Sequence, residues 1–418
     1  MDLFARIDDA ETRFAAVEPS INAFLPEAGR FDRLRREAQS LCDRYPRADE
    51  RPPLFGMLVG VKDIFHVHGF PTRAGSRLPP GALEGPEADA VTRLRQAGAL
   101  ILGKTATTEF AYFQPGPTRN PRNPAHTPGG SSSGSAAGVA AGLCELALGT
   151  QTIGSIVRPA AFCGVFGLKP TFDRISSGGV IPLSPSLDHV GFLCTDVRTA
   201  ARAAPVLCQN WQSGERRSGR PVLGVPEGPY LGRVSSDTSK WFSTVCSGLV
   251  DAGHAVRRVP VMADFQEICD RHHVIMAAEA ARVHARLADE YADLYSTKFA
   301  DLLARGRSIA GDRLASALRA RDSFRAGLRQ VMVDAGIDAW IAPSTVGPAP
   351  RGLESTGDPV MNLPWTQAGF PSINLPAGTH ASGLPMGLQV VAAWNEDEAL
   401  LVWAAEIERA MGRLQPGV

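Results

Sequence analysis

Apolar residues near the start of the chain recur at steps of mostly three and four. Leu3, Ile7, Phe14, Val17 and Ile21 therefore predict an amphipathic helix within residues 2–24. The pattern then changes. LFGMLVGVKDIF (54–65) is almost continuously apolar, with branched residues around Gly56 and Gly60, and reads as a buried strand ending near Lys62. ADAVTRLRQAG (88–98) restores helical spacing and closes on Gly98, and ALILGKT follows as a strand. Helix, glycine and strand in that order predict an α/β sheet with crossover connections.

Downstream the pattern alternates again. QPGPTRNPRNPAHTPGGSSSGS (114–135) has a loop or linker composition, yet it runs directly into AAGVAAGLCELALGT, a small-residue helix leading to a strand. QSGERRSGR (212–220) predicts a surface connection, and VLGVP (222–226) a new strand. Residues 264–334 read as mostly helical. DAWIAPST (338–345) reads as a strand, and GFPSINLPAGTHASGLPMGLQVVA as two strands and a turn. No internal repeat is present.

Composition narrows the classes. Of 418 residues, 44% are hydrophobic and 21% charged, enough for a sizeable core. Lys+Arg and Asp+Glu both total 43, so no nucleic-acid footprint is expected. Cysteines 42, 144, 163, 194, 208, 246 and 269 form no C-x-x-C pair, which argues against a disulfide framework or a metal site. No apolar leader or membrane-length run stands out, so a reduced, cytoplasmic protein without a membrane partner is expected. Oligomeric state stays open, a homodimer included.

Three segments carry the chemistry: GVKD (60–63), GGSSSGSAAG (129–138) and GTQTIGSIVRPAAFCGVFGLKP (149–170). Singly, each has an ordinary explanation. A lysine after a strand is commonly a solvated surface residue, and a Gly/Ser stretch is commonly a linker. Together and in order, with a step of 24 residues from Ser131 to Ser155, they resemble the amidase signature family of Ser–Ser–Lys hydrolases. LILGKTATTEFAY, NPRNPAHTPGGSSSGS and GLPMGLQVVA extend the resemblance over nearly the whole chain, weakest at about 212–335.

The resemblance implies an α/β fold with a mixed, mostly parallel central sheet covered by helices on both faces. It implies one amidase domain over 1–418, with a catalytic core at 60–195 and a variable, mostly helical, pocket-forming region at 212–335. Ser155 would be the acylated nucleophile. Ser131, after a cis peptide bond to Gly130, would relay its proton to Lys62. No cofactor or metal is implied.

The residues support those roles independently. A serine hydroxyl needs a base. Of nine histidines only His126 lies at the edge of the serine motifs. Lysine can serve if neutral, which requires lowering its pKa by roughly three to four from about 10.4. Desolvation beside the apolar run before Lys62 works in that direction. Backbone N–H groups of Thr152, Ile153, Gly154 and Ser155 would supply an oxyanion hole.

Two positions depart from the family pattern Asp-x-Gly-Gly-Ser, for here Gln151 and Ile153 replace the acid and the first glycine. An ordinary backbone is expected at Ile153, with its side chain shaping the pocket. Arginine falls three residues after the nucleophile, at Arg158, a placement similar to the malonamidase-like branch, whose substrates carry a carboxylate. Arg158 would bind that carboxylate or pair with a buried acid. Gln151 and Ser132 are further candidate substrate contacts, and Asp63, Thr150 and Asp188 are candidate supports. The expected activity is hydrolysis of a small-molecule C–N amide, with a carboxylate-bearing amide as one option. Alternatives are a ureide hydrolase of allophanate or carboxybiuret type, and the glutaminase subunit of a tRNA-dependent amidotransferase. The short chain and Gln151 count against the last.

Overall fold

The computed structural model describes residues 2–79, 81–212 and 219–412. Its strands are β1 (Leu58–Lys62), β2 (Leu100–Thr105), β3 (Leu146–Gln151), β4 (Phe166–Lys169), β5 (His189–Cys194), β6 (Leu223–Glu227), β7 (Val256–Pro260), β8 (Ala339–Pro343), β9 (Ser372–Thr379) and β10 (Pro385–Ala392). Among the described residues these ten form one sheet, in the order β2-β1-β3-β5-β4-β9-β10-β8-β6-β7.

The sheet is mixed, as expected, but parallel pairs do not dominate it. Parallel blocks sit at its two ends, β2-β1-β3 and β8-β6-β7. Between them, every neighbouring pair from β3 to β8 is antiparallel. Antiparallel neighbours need only short connections, as β9 and β10 show across residues 380–384. The crossover helices that announce parallel strands in the sequence report only on the ends of the sheet.

Both faces are covered. Along β1, Leu58 faces one apolar cluster while Val59 and Val61 face the other; along β2, Leu100 and Leu102 oppose Ile101. This period-two alternation divides the core. The smaller side is filled by the helices Leu3–Ile21, Arg30–Arg44 and Ser133–Ala140. The larger side takes Asp89–Gln96, Val197–Leu207 and the long helices Phe265–Val283 and Gly311–Ala335. The predicted first strand is shorter than its apolar run. Gly56, at φ +70°, makes a turn before Leu58.

The Gly/Ser-rich stretch is no free linker. Residues 127–135 are all buried, and Asn120 Nδ2 donates to the carbonyls of Thr127 and Phe162. Gly134 lets the following helix sit directly on backbone: a Cβ there would lie 2.1 Å from Ala23 O and 2.4 Å from Ala106 N. Ser131 and Ser132 are held rigidly just before that helix. Of the polar connection 212–220, residues 213–218 lie outside the described residues, while Gly219 and Arg220 are exposed.

Candidate active site

Lys62 ends β1, between β2 and β3, and is fully buried. Its Nζ lies 2.8 Å from Ser131 Oγ and 2.7 Å from Thr150 Oγ1 of β3. Burial pushes its pKa down from 10.5 to about 7, against the opposing charge of Asp188. A neutral amine has one lone pair and two N–H groups, so it can accept from one hydroxyl while donating to the other. The adjacent Asp63 does not rescue the cation, because it is itself paired, 2.8 Å from Lys104 Nζ of β2. Lys104 thus takes up the neighbouring carboxylate, and Lys62 is left among hydroxyls.

The Gly130–Ser131 peptide is cis. Ser131 and Ser155 open onto one narrow pocket, together with Thr152, Ile153 and Arg158. Ser132 N–H donates to Ser155 O at 3.4 Å, tying the two serine segments together. Ser155 Oγ has no protein hydrogen-bond partner among the described residues. Catalytic contacts of this kind commonly tighten only when substrate arrives. No histidine is bonded to either serine hydroxyl among the described residues.

The four N–H groups from Thr152 to Ser155 donate to no protein acceptor among the described residues. Buried backbone donors without partners are rare, and consecutive ones beside a hydroxyl can hold a developing oxyanion. Ile153 does not adopt positive φ, and it lines the pocket. Gly154 has no room for a side chain: a Cβ would lie 2.3 Å from Asn362 Oδ1.

Arg158 is buried and also lines the pocket. Its Nη1 donates to Gly357 O and its Nη2 to Gly130 O, the latter at 2.6 Å, while Nε has no partner among the described residues. Two of its five N–H groups are committed, and no carboxylate pairs with it among the described residues. Burial lowers its pKa, with the charge of Asp358 opposing.

Gln151 and Ser132 are turned away from the pocket. Gln151 Oε1 accepts from Ile156 N (2.8 Å) and Val157 N (3.0 Å), and its Nε2 donates to Thr366 Oγ1. Ser132 Oγ bridges the Thr150 carbonyl and N–H. Asp188, raised to about 6 by burial, accepts from Thr152 Oγ1, Leu183 N and Ser184 N. Ala111, Tyr112, Phe113, Leu183, Met276, Thr356 and Pro359 complete the pocket wall. None of them falls within the three segments that carry the chemistry in the sequence. All seven cysteines are free thiols, and no cluster of three metal-ligating side chains occurs among the described residues. No described helix is long and apolar enough to cross a membrane.

A buried lysine bonded to one serine hydroxyl, a second serine on the same pocket and a strip of N–H groups without protein acceptors among the described residues thus come together at one site. The chain belongs to the amidase family, whose members hydrolyse C–N amide bonds; the match spans residues 7–401. It is 33% identical to a glutamyl-tRNA(Gln) amidotransferase subunit of Anaeromyxobacter sp. (strain K), over 98% of this chain and 93% of that one. Its fold matches the crystal structure of an amidase at TM-score 0.87, with 33% identity over 98% and 96% of the two chains. It also matches a peptide amidase of Stenotrophomonas maltophilia at TM-score 0.81, with 26% identity over 99% and 94%.

Burying Lys62 costs stability, with a definite pH signature. The folded-state pKa near 7 lies below the ordinary 10.5, so the unfolded chain binds more protons between these values. The penalty is complete below about 7 and vanishes as pH rises through 10.5. The stability gained by Lys62→Met relative to wild type should therefore fall by about 1.4 kcal/mol per pH unit across that window. Urea unfolding of both proteins at several pH values measures it. A difference that stays flat with pH would show that Lys62 is not desolvated.

Proposed function

We propose that the chain hydrolyses a small amide bearing a carboxylate, through an acyl-enzyme on Ser155. The observation that carries the reaction is the contact of an unpaired, fully buried Lys62 with Ser131 at 2.8 Å, beside the same pocket as Ser155. In this reading Ser155 Oγ attacks the carbonyl carbon while its proton passes to Ser131 and that of Ser131 to Lys62. The N–H groups of residues 152–155 receive the oxyanion. Collapse expels the amine, which takes the proton back along the relay, and water then cleaves the ester by the same route. Residues 60–195 supply this machinery, and 212–335 contributes Met276 to the pocket wall. The chain acts as one amidase unit.

The carboxylate preference rests on Arg158. A desolvated guanidinium with no acid partner among the described residues has its charge unmet, and Arg158 lines the pocket with some of its N–H groups uncommitted. Guanidinium and carboxylate match as a fork. Gln151 and Ser132 act as supports in this reading. A second reading, in which the chain works within an amidotransferase complex, is favoured by the 33% identity to the Anaeromyxobacter protein. The isolated chain turning over a small acid amide decides for the first reading, and activity only with partner proteins decides for the second.

Brief treatment with a fluorophosphonate should label Ser155, as read by peptide mass spectrometry, and Ser155→Ala should abolish turnover without lowering the melting temperature. Labelling of a different serine would overturn the assignment.

For Arg158→Leu, kcat/KM on an acid-bearing amide should drop by a factor equivalent to roughly 2–5 kcal/mol, and by far less on a matched neutral amide. Equal losses on both substrates would make Arg158 a brace for Gly130 and Gly357 instead.

A further inference from the structure

The strip that carries the free N–H groups has no fixed partners on its donor side, so something else must hold its peptide planes. Two side chains far away in sequence do so through the carbonyls. Thr366 Oγ1, in the helix Leu363–Ala368, donates to Ile153 O at 2.6 Å. His272 Nε2, in the helix Phe265–Val283, lies 3.0 Å from Thr152 O. A carbonyl oxygen only accepts, so His272 carries its proton on Nε2. Its Nδ1 is buried without a partner among the described residues, and burial lowers the imidazole pKa to about 3, which keeps the ring neutral. The Thr366 hydroxyl is directed too. It receives Gln151 Nε2 at 2.9 Å, which leaves its own proton for a carbonyl, and Ile153 O at 2.6 Å is nearer than Asn362 O at 3.1 Å. Gln151 Oε1 meanwhile fixes the N–H groups of Ile156 and Val157, just beyond Ser155.

In a planar trans peptide, the carbonyl of one residue and the N–H of the next point in opposite directions. The cis bond of this region is Gly130–Ser131, and the bonds after Thr152 and Ile153 are trans. Drawing Thr152 O toward His272 turns the Ile153 N–H away from that helix. Drawing Ile153 O toward Thr366 does the same for the Gly154 N–H. We propose that Thr366 and His272 are positioning residues that hold the Ile153 and Gly154 N–H groups in place as oxyanion donors for attack by Ser155. The inference rests on Ser155 being the nucleophile. Without the two anchors, neither peptide plane has a hydrogen bond that prevents it from flipping, and Gly154 has no side chain to resist rotation.

Conservative pairs test this. Thr366→Val removes the hydroxyl at nearly constant shape, and Thr366→Ser keeps it. His272→Leu removes the donor, and His272→Gln places an amide N–H where Nε2 stood. Thermal melting checks that each variant folds, and the two pairs are independent, so one remains decisive if a member of the other misfolds. The readouts are kcat, KM and affinity for a boronic acid that forms a tetrahedral adduct on Ser155. Thr366→Val and His272→Leu should lower kcat by about tenfold to a hundredfold, less than or equal to the loss of a whole oxyanion donor. KM should stay within about twofold, because the interaction is made in the transition state. Boronate affinity should fall in parallel with kcat, and the serine and glutamine variants should recover most of both. An unchanged kcat in Thr366→Val and His272→Leu overturns the inference, as does a serine variant as impaired as the valine one, or a loss confined to KM. Labelling of wild type with a fluorophosphonate is read separately. If Ser155 stays unlabelled, the nucleophile assignment fails and this inference falls with it, whereas a labelled Ser155 with an unaffected Thr366→Val sinks the inference alone.

Discussion

The site depends on keeping one amine uncharged. Lys62 sits fully buried at the end of a strand flanked on both sides. Its nearest sequence neighbour, Asp63, would hold it as a cation, and the fold removes that influence by bringing Lys104 from the adjacent strand onto the carboxylate. The chain has only five lysines, and three of them, Lys62, Lys104 and Lys169, are buried. Lys104 is buried as an ion pair. Lys169, pushed down to about 7 by burial, donates to the Phe370 and Pro170 carbonyls and lines none of the site pocket. Lys62 alone combines burial with contact to a serine hydroxyl. Desolvation that costs folding free energy leaves this amine with a pKa near neutrality, as the proposed base requires.

The rest of the site is built around that amine. The Gly/Ser segment delivers Ser131 to Lys62, because Gly134 allows its helix to rest on backbone. The segment after β3 delivers Ser155 and the unpaired N–H strip to the same pocket. Arg158, one helical turn further on, reaches back to Gly130 and across to Gly357. It therefore braces the Gly/Ser segment against the loop that carries Gly357, with its Nε left without a partner among the described residues. Ser155, its N–H strip and Arg158 lie within a few positions of one another, whereas the carbonyls of Thr152 and Ile153 are bonded from across the molecule, by His272 and Thr366.

How much of this is legible in the sequence follows from where the signals lie. Lys62, Ser131, Ser155 and Arg158 fall within short motifs, and the structure brings all four to one place. The strands at the ends of the sheet are legible because helices and glycines separate them. β7 is not: Arg257 and Arg258 give it a charged outer face suited to a sheet edge, and the apolar alternation is lost. β4 and β5 lie within the motif-rich stretch and are buried on both faces, so no alternation marks them. Their antiparallel pairing makes the sheet less parallel than expected. Gln151 reads in the sequence as a substrate contact and instead fixes the chain after Ser155, since its amide finds two N–H groups and a hydroxyl within the protein. Thr366 and His272 carry no signal, because their partners lie 213 and 120 residues away and only folding brings them together.

The charge on Lys62 can be read directly. With so few lysines, the side-chain Cε and Nζ resonances of isotope-labelled protein can be followed through a pH titration, and Lys62 assigned by the signal lost in Lys62→Met. A midpoint near pH 7 for that signal is what a desolvated, unpaired amine requires. A Lys62 signal that remains that of a cation up to about pH 10, where a solvated lysine titrates, would contradict the account at its base.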